Sequence, residues 1–187
     1  MKRISNLTVL AVSIAVLSST EATTVIPPTF DELVDQAEVI FQGNVTNVSS
    51  QWVGEGAQRH IVSYATFNVE DALKGAPGQS YTIRMLGGTV DGETMAVSDA
   101  PRFKVGDKDI LFVQNNGSQF IPLVGIMHGR FHVQHDQSGQ EIVTTNEGKP
   151  VKNVARLGNA AAASSTDANL TPADFKAAVK SRLQLTQ

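Results

Sequence analysis

From residue 39 to residue 145 the chain keeps returning to a period of two, and that rhythm restricts it to sheet. Val39, Phe41, Gly43 and Val45 share one parity; so do Ile61, Ala65, Phe67 and Val69 within a second run over 59–73. Tyr81, Ile83 and Met85 then alternate with Thr82, Arg84 and Leu86. Successive side chains of a strand point to opposite faces, so such runs bury one face and present the other. Turn chemistry separates them: residues 52–56, with two glycines, lie between the first two runs, which are expected to pair as a hairpin, and Lys74-Gly75-Ala76-Pro77-Gly78 precedes the third. Residues 109–113 read Asp-Ile-Leu-Phe-Val, a short apolar run bounded by turns that suits a strand buried on both faces. Asn115-Asn116-Gly117-Ser118 predicts a turn into another strand over 120–127, and 131–135 with 141–145 predict a last hairpin. The fold class that follows is mainly β and antiparallel.

Two helices frame the strands. Over 29–38, Thr29 with Glu32 makes a capping box, and Phe30, Leu33, Val34 and Ala37 form one apolar stripe at helical spacing. Near the end, Leu170-Thr171-Pro172-Ala173-Asp174-Phe175 places a cap, a first-turn proline and an acid in the order that starts a helix over 170–187. Phe175, Val179 and Leu183 give it a stripe to bury. Residues 159–169, rich in Ala and Ser, predict a flexible linker, so that 23–158 forms the β domain.

The first 22 residues read as a secretory signal peptide: Lys2 and Arg3, an apolar-to-weakly-polar run over 7–17, and Thr20-Glu21-Ala22 as a small-x-small cleavage site. That run is shorter than the roughly 20 residues a membrane span needs, so no stable anchor is expected after cleavage. The mature chain of about 165 residues is then periplasmic or extracellular. It has no cysteine, which excludes disulfides, thiolate metal sites and cysteine nucleophiles, and favours a bacterial over an animal exported protein. A net charge of −3 lacks the basic excess of a nucleic-acid binder.

Catalytic patterns are weak. His128 and His132 would stand roughly 13 Å apart on a strand, and His132 and His135 would point to opposite faces, so no metal is expected there. There is no Gly-x-Ser-x-Gly, and the glycines over 87–92 lack the lysine of a phosphate loop, so neither a catalytic residue nor a cofactor is assigned. Glu70-Asp71 and Asp107 with Asp109 read as solvated charge at strand ends. An enzyme would need His60, His128 or His132 to meet a serine or carboxylate. The excursion over 87–100 is long enough to be a functional loop.

Three stretches together carry a resemblance: IPPTFDELVDQAEVIFQGNVTNV, ATFNVEDALKGAPGQSYTI and FKVGDKDILFV, within residues 26–134. They resemble the netrin-like module, the OB-type barrel of tissue inhibitors of metalloproteinases. Ala37-Glu38-Val39-Ile40, Leu73-Lys74-Gly75 and Val105-Gly106-Asp107 stand at the family's positions. The block over 100–106 is similar to one in uncharacterised exported bacterial proteins. The resemblance implies an OB-like antiparallel β-barrel with a short N-terminal and a C-terminal helix, and a non-enzymatic binding module that recognises or inhibits another exported protein such as a metalloprotease. In those inhibitors a freed N-terminal amine chelates the target's zinc; here the exposed terminus would be Thr23. The expected contacts are therefore Thr23, Thr24, Val25, Ile26 and Pro27, with Gly88, Thr89, Val90 and Asp91 from the long excursion. A cell-envelope structural or carbohydrate-binding module is the alternative, and a hydrolase the third reading.

Overall fold

The computed structural model describes residues 26–159 and 167–185. Residues 1–25, which hold the expected leader and the expected contacts Thr23, Thr24 and Val25, and residues 160–166, within the expected linker, lie outside the described residues, as do 186–187. The chain runs α1 (Phe30–Gln36), β1 (Val39–Val53), β2 (His60–Lys74), β3 (Ser80–Leu86), β4 (Gly88–Val90), β5 (Glu93–Met95), β6 (Lys108–Val113), β7 (Arg130–His135), β8 (Glu141–Thr145) and α2 (Pro172–Leu185). Six strands form one antiparallel sheet in the order β3-β2-β1-β6-β7-β8, and β4 with β5 forms a separate small hairpin.

The central strands are buried on both sides. Ile40, Ile110 and Phe112 enter a core with α1 and α2, while their neighbours Phe41, Leu111 and Val113 enter a second core on the opposite face. The helix-side core gathers the rings of Phe30, Phe112, Phe131 and Phe175. The opposite core gathers Phe41, Phe67, Tyr81 and Phe103. Strand β1 serves both because successive side chains alternate between its faces, and its pairing with β2 shifts register between Ile40 and Phe41, Gln42 and Gly43, and Val45 and Asn47. Bulges of this kind raise the local twist and bend the strand.

The helices form as their caps dictate. Thr29 and Glu32 complete the reciprocal capping box of α1. At α2 the Thr171 hydroxyl accepts from the Asp174 N–H at 3.2 Å, and Phe175 and Val179 are fully buried against the sheet. Lys176 of α2 bonds Asp71 at 3.0 Å, and Arg182 reaches Asp35. The C-terminal helix is thus docked. No described helix is long and apolar enough to cross a membrane.

Two expectations are corrected. The sheet does not close into a barrel: its edge strands β3 and β8 satisfy their outward groups with loops rather than with each other. The Arg84 N–H donates to Asn116 Oδ1 at 3.1 Å, Asn116 Nδ2 donates to the Thr82 carbonyl at 2.8 Å, and the Leu86 N–H donates to the Phe120 carbonyl. On the other edge the Val143 N–H donates to the Leu170 carbonyl and the Val151 N–H to the Val143 carbonyl. Residues 120–127, expected as a strand, are instead a chain of turns touching β6 through one bridge, Val113 to Leu123. Pro122 withholds a donor, and Gly125 and Ile126 both take positive φ, which ends strand geometry.

Candidate binding cleft and ion-lined recess

The expected contacts divide between two places. Gly88, Thr89, Val90 and Asp91 come together in the β4–β5 hairpin, whose turn holds Asp91 at a φ of 50° and Gly92 at 84°. Pro27 instead lines a cavity of about 500 Å³ with Leu33, His128, Phe131 and Leu157, and Ile26 beside it is exposed. That cavity is a separate site from the hairpin.

The hairpin is seated by glycine and serine. Gly88 has a φ of 139°, and a Cβ there would fall on the hydroxyls of Ser63 and Ser50. Those hydroxyls bond each other at 2.8 Å, and the Ser63 hydroxyl donates to the Gly87 carbonyl at 2.6 Å. The Gly87 N–H donates to the Ile61 carbonyl. Only a residue without a side chain lets the backbone come so close to β1 and β2. Beneath the hairpin lies a cleft of about 310 Å³. Met85, Met95, Val97 and Phe103 give it apolar walls, and Ser50 and Thr94 add hydroxyls. Arg102 is the one charged side chain among its lining residues.

Residues 100–102 also border a second opening, a polar recess of about 290 Å³. Its floor is an ion cluster built by sheet register. Asp109 of β6 stands opposite His132 of β7, and Leu111 opposite Arg130, so all four side chains share one face. Arg130 is 2 % exposed and Asp109 0 %. The guanidinium donates to Asp109 Oδ2 from Nε at 3.0 Å and Nη2 at 2.9 Å, to Asp107 Oδ2 at 2.7 Å, and from Nη1 to the Arg102 carbonyl at 2.8 Å. It also lies 4.1 Å above the Phe103 ring. His132 Nδ1 lies 2.8 Å from Asp109 Oδ1. A buried cation and carboxylate persist only when paired and hydrogen-bonded on nearly every polar atom, which this cluster achieves.

The reading of the acidic pairs as solvated charge is corrected here. Asp109 is a buried anchor, because its parity on β6 is that of Leu111 and Val113 rather than of an outward face. Glu70 accepts from Gln42 at 2.7 Å and Asn44 at 2.6 Å, and Asp71 holds α2. Lys108 lies between Glu70 and Glu141; its hydrogen bond to Glu141 holds its ammonium above the ordinary lysine range. The histidines are dispersed. His60 bonds the Gln58 carbonyl, His128 sits in the turn before β7, and His135 is exposed. Among the described residues no group of three or more His, Cys, Asp or Glu is gathered to hold a metal ion.

Arg130 carried no motif, yet one signal was available. A lone acid at a core parity of an apolar strand needs a cation on the neighbouring strand, and Arg130 follows two glycine-containing turns at the start of such a strand. No family model and no curated protein matches this chain.

Proposed function

We propose that the chain is an exported binding module that holds an apolar side chain of another exported protein in the hairpin cleft. The observation that carries this is the chemistry of the cleft lining. Two methionines, a valine and a phenylalanine offer a wall that adapts to shape, hydroxyls offer hydrogen bonds to a backbone, and a single arginine supplies no acid–base pair. The leader read in residues 1–22 supports the exported setting, and the bulged, doubly paired β1 supports the likeness to an OB-type netrin-like module. Inhibition of a metalloprotease is the sharpest form of this reading, with the amine of Thr23 reaching the target's zinc.

The test uses the full chain as bait on exported proteins of the source culture, beside Gly88→Val, which lifts the hairpin from Ser50 and Ser63. The expected result is one stoichiometric partner that the wild-type protein retains and the variant loses. Retention on peptidoglycan or glycan instead would establish the carbohydrate-binding alternative, and equal retention by both proteins would remove the cleft from the interface. Should the partner be a metalloprotease, one residue added before Thr23 abolishes inhibition if the amine is the chelating group.

One observation favours a second reading. His132 meets the Asp109 carboxylate, the pairing that orients a general base, so hydrolysis by an activated water is its form. The recess lining contains no serine, threonine or cysteine to act as a nucleophile. Loss of hydrolysis in His132→Gln with unchanged folding would establish it.

A further inference from the structure

The recess beside His132 presents a charge pattern that the cleft does not use. Its acids are committed apart from Asp107 Oδ1. Asp109 gives one oxygen to Arg130 and the other to His132, and Asp107 Oδ2 accepts from both Arg130 and the Lys104 N–H, the latter at 2.8 Å. The cations at its mouth are not: neither the Arg102 guanidinium nor the Lys104 ammonium has an ion-pair partner among the described residues, and both side chains are exposed. Asn146 completes the wall with an amide. Counting Arg102, Lys104 and Arg130 against Asp107 and Asp109 leaves one net positive charge before His132 is protonated.

We infer that this recess is a binding site for an oxyanion, held by Arg102, Lys104 and His132 over the locked Arg130–Asp109 pair. The pair makes the floor rigid. An arginine fixed by two carboxylates and stacked on Phe103 cannot swing out, so the floor is rigid but its one guanidinium is outnumbered by the two carboxylates, and the positive charge that meets an arriving anion comes from Arg102 and Lys104 at the mouth. The ring of His132 adds a condition. Asp109 is an acceptor toward Arg130, so the proton is assigned to His132 Nδ1, and Nε2 can donate to an anion only when the ring is doubly protonated. The charged groups around that ring are Asp109 on β6, Arg130 on β7, and Arg102, Lys104 and Asp107 on the segment between β5 and β6; opposite it on β8 stands the uncharged Thr144. A free inorganic anion and a carboxylate on a partner's side chain share this chemistry.

The experiment titrates the full chain with sodium sulfate and, separately, sodium acetate, following the His132 ring signals by NMR against a sodium chloride series of matched ionic strength. Saturable shifts with sulfate are expected, tighter where the His132 ring is doubly protonated. Arg102→Gln with Lys104→Gln weakens them by about tenfold or more without moving the melting temperature, since neither side chain is packed. Saturation by acetate as tight as by sulfate identifies the carboxylate as the source, and sulfate alone identifies the inorganic anion. Shifts that chloride reproduces, or that the double variant retains in full, overturn the site.

Discussion

The two faces of the sheet each collect four aromatic rings, but they complete the set differently. On one face the last ring, Phe175, arrives on a capped helix and is fully buried. On the other, Phe103 arrives on a loop and is held from above by the Arg130 guanidinium. A helix brings its own satisfied backbone and leaves a sealed surface. A loop must have its polar groups met by neighbours, and the residues that meet them, Arg130 at the Arg102 carbonyl and Asp107 at the Lys104 N–H, line the recess. The lesson is that the recess is a by-product of closing a core with a loop, which is why chemistry gathers on that face.

The comparison is broken most directly by truncating each ring. Phe175→Ala and Phe103→Ala should each cost about 3 to 5 kcal/mol, measured by urea unfolding. Only Phe103→Ala should also weaken sulfate binding, because it removes the surface on which Arg130 rests. Equal sulfate affinity in both variants would mean that the recess does not depend on the Phe103 ring beneath Arg130. Next comes Arg130→Met, which leaves Asp109 buried without its main donor; the loss falls near the lower end of about 3 to 5 kcal/mol, since methionine keeps contact with Phe103. Adding Asp109→Leu should restore most of it. Failure of that rescue would show that the pair stabilises the fold by more than mutual compensation.

The smallest effect is a pH dependence. Burial holds the His128 imidazole below the ordinary histidine range, against the opposing charges of Glu147 and Asp99. The unfolded chain therefore binds a proton at His128 before the folded one does. Stability is complete above the ordinary histidine range and declines as the pH falls through it, because the folded form resists charging. His128→Gln should flatten melting temperature between about pH 7 and about pH 5 by a measurable fraction, and an unchanged slope assigns the loss to other groups.

The strands and both helices were legible because their signals are local. Alternation marked β1, β2 and β3, the apolar run marked β6, and Thr29 with Glu32 and Thr171 with Pro172 marked the helix starts. What failed depended on partners distant in sequence. Barrel closure would have required β3 and β8 to pair, and Asn116 and Leu170 took those positions. The run over 120–127 is as apolar as a strand, but Gly125 and Ile126 turn it. Half of the candidate surface was legible as well: the glycine-rich excursion is the hairpin over the cleft. The recess was not, because Asp109 was read as solvent-facing despite its core parity, and which residues meet it, His132 and Arg130, depends on the register of β6 against β7.

Asn116 closes the edge of β3 with one amide, which offers an acceptor to Arg84 and a donor to Thr82 as another strand's backbone would. An open edge is a template for any extended chain, including a second copy of this one. On this edge the Asn116 amide and the Phe120 carbonyl together occupy the places that a second extended chain would need, so a short loop segment rather than a strand guards β3 against edge-to-edge growth.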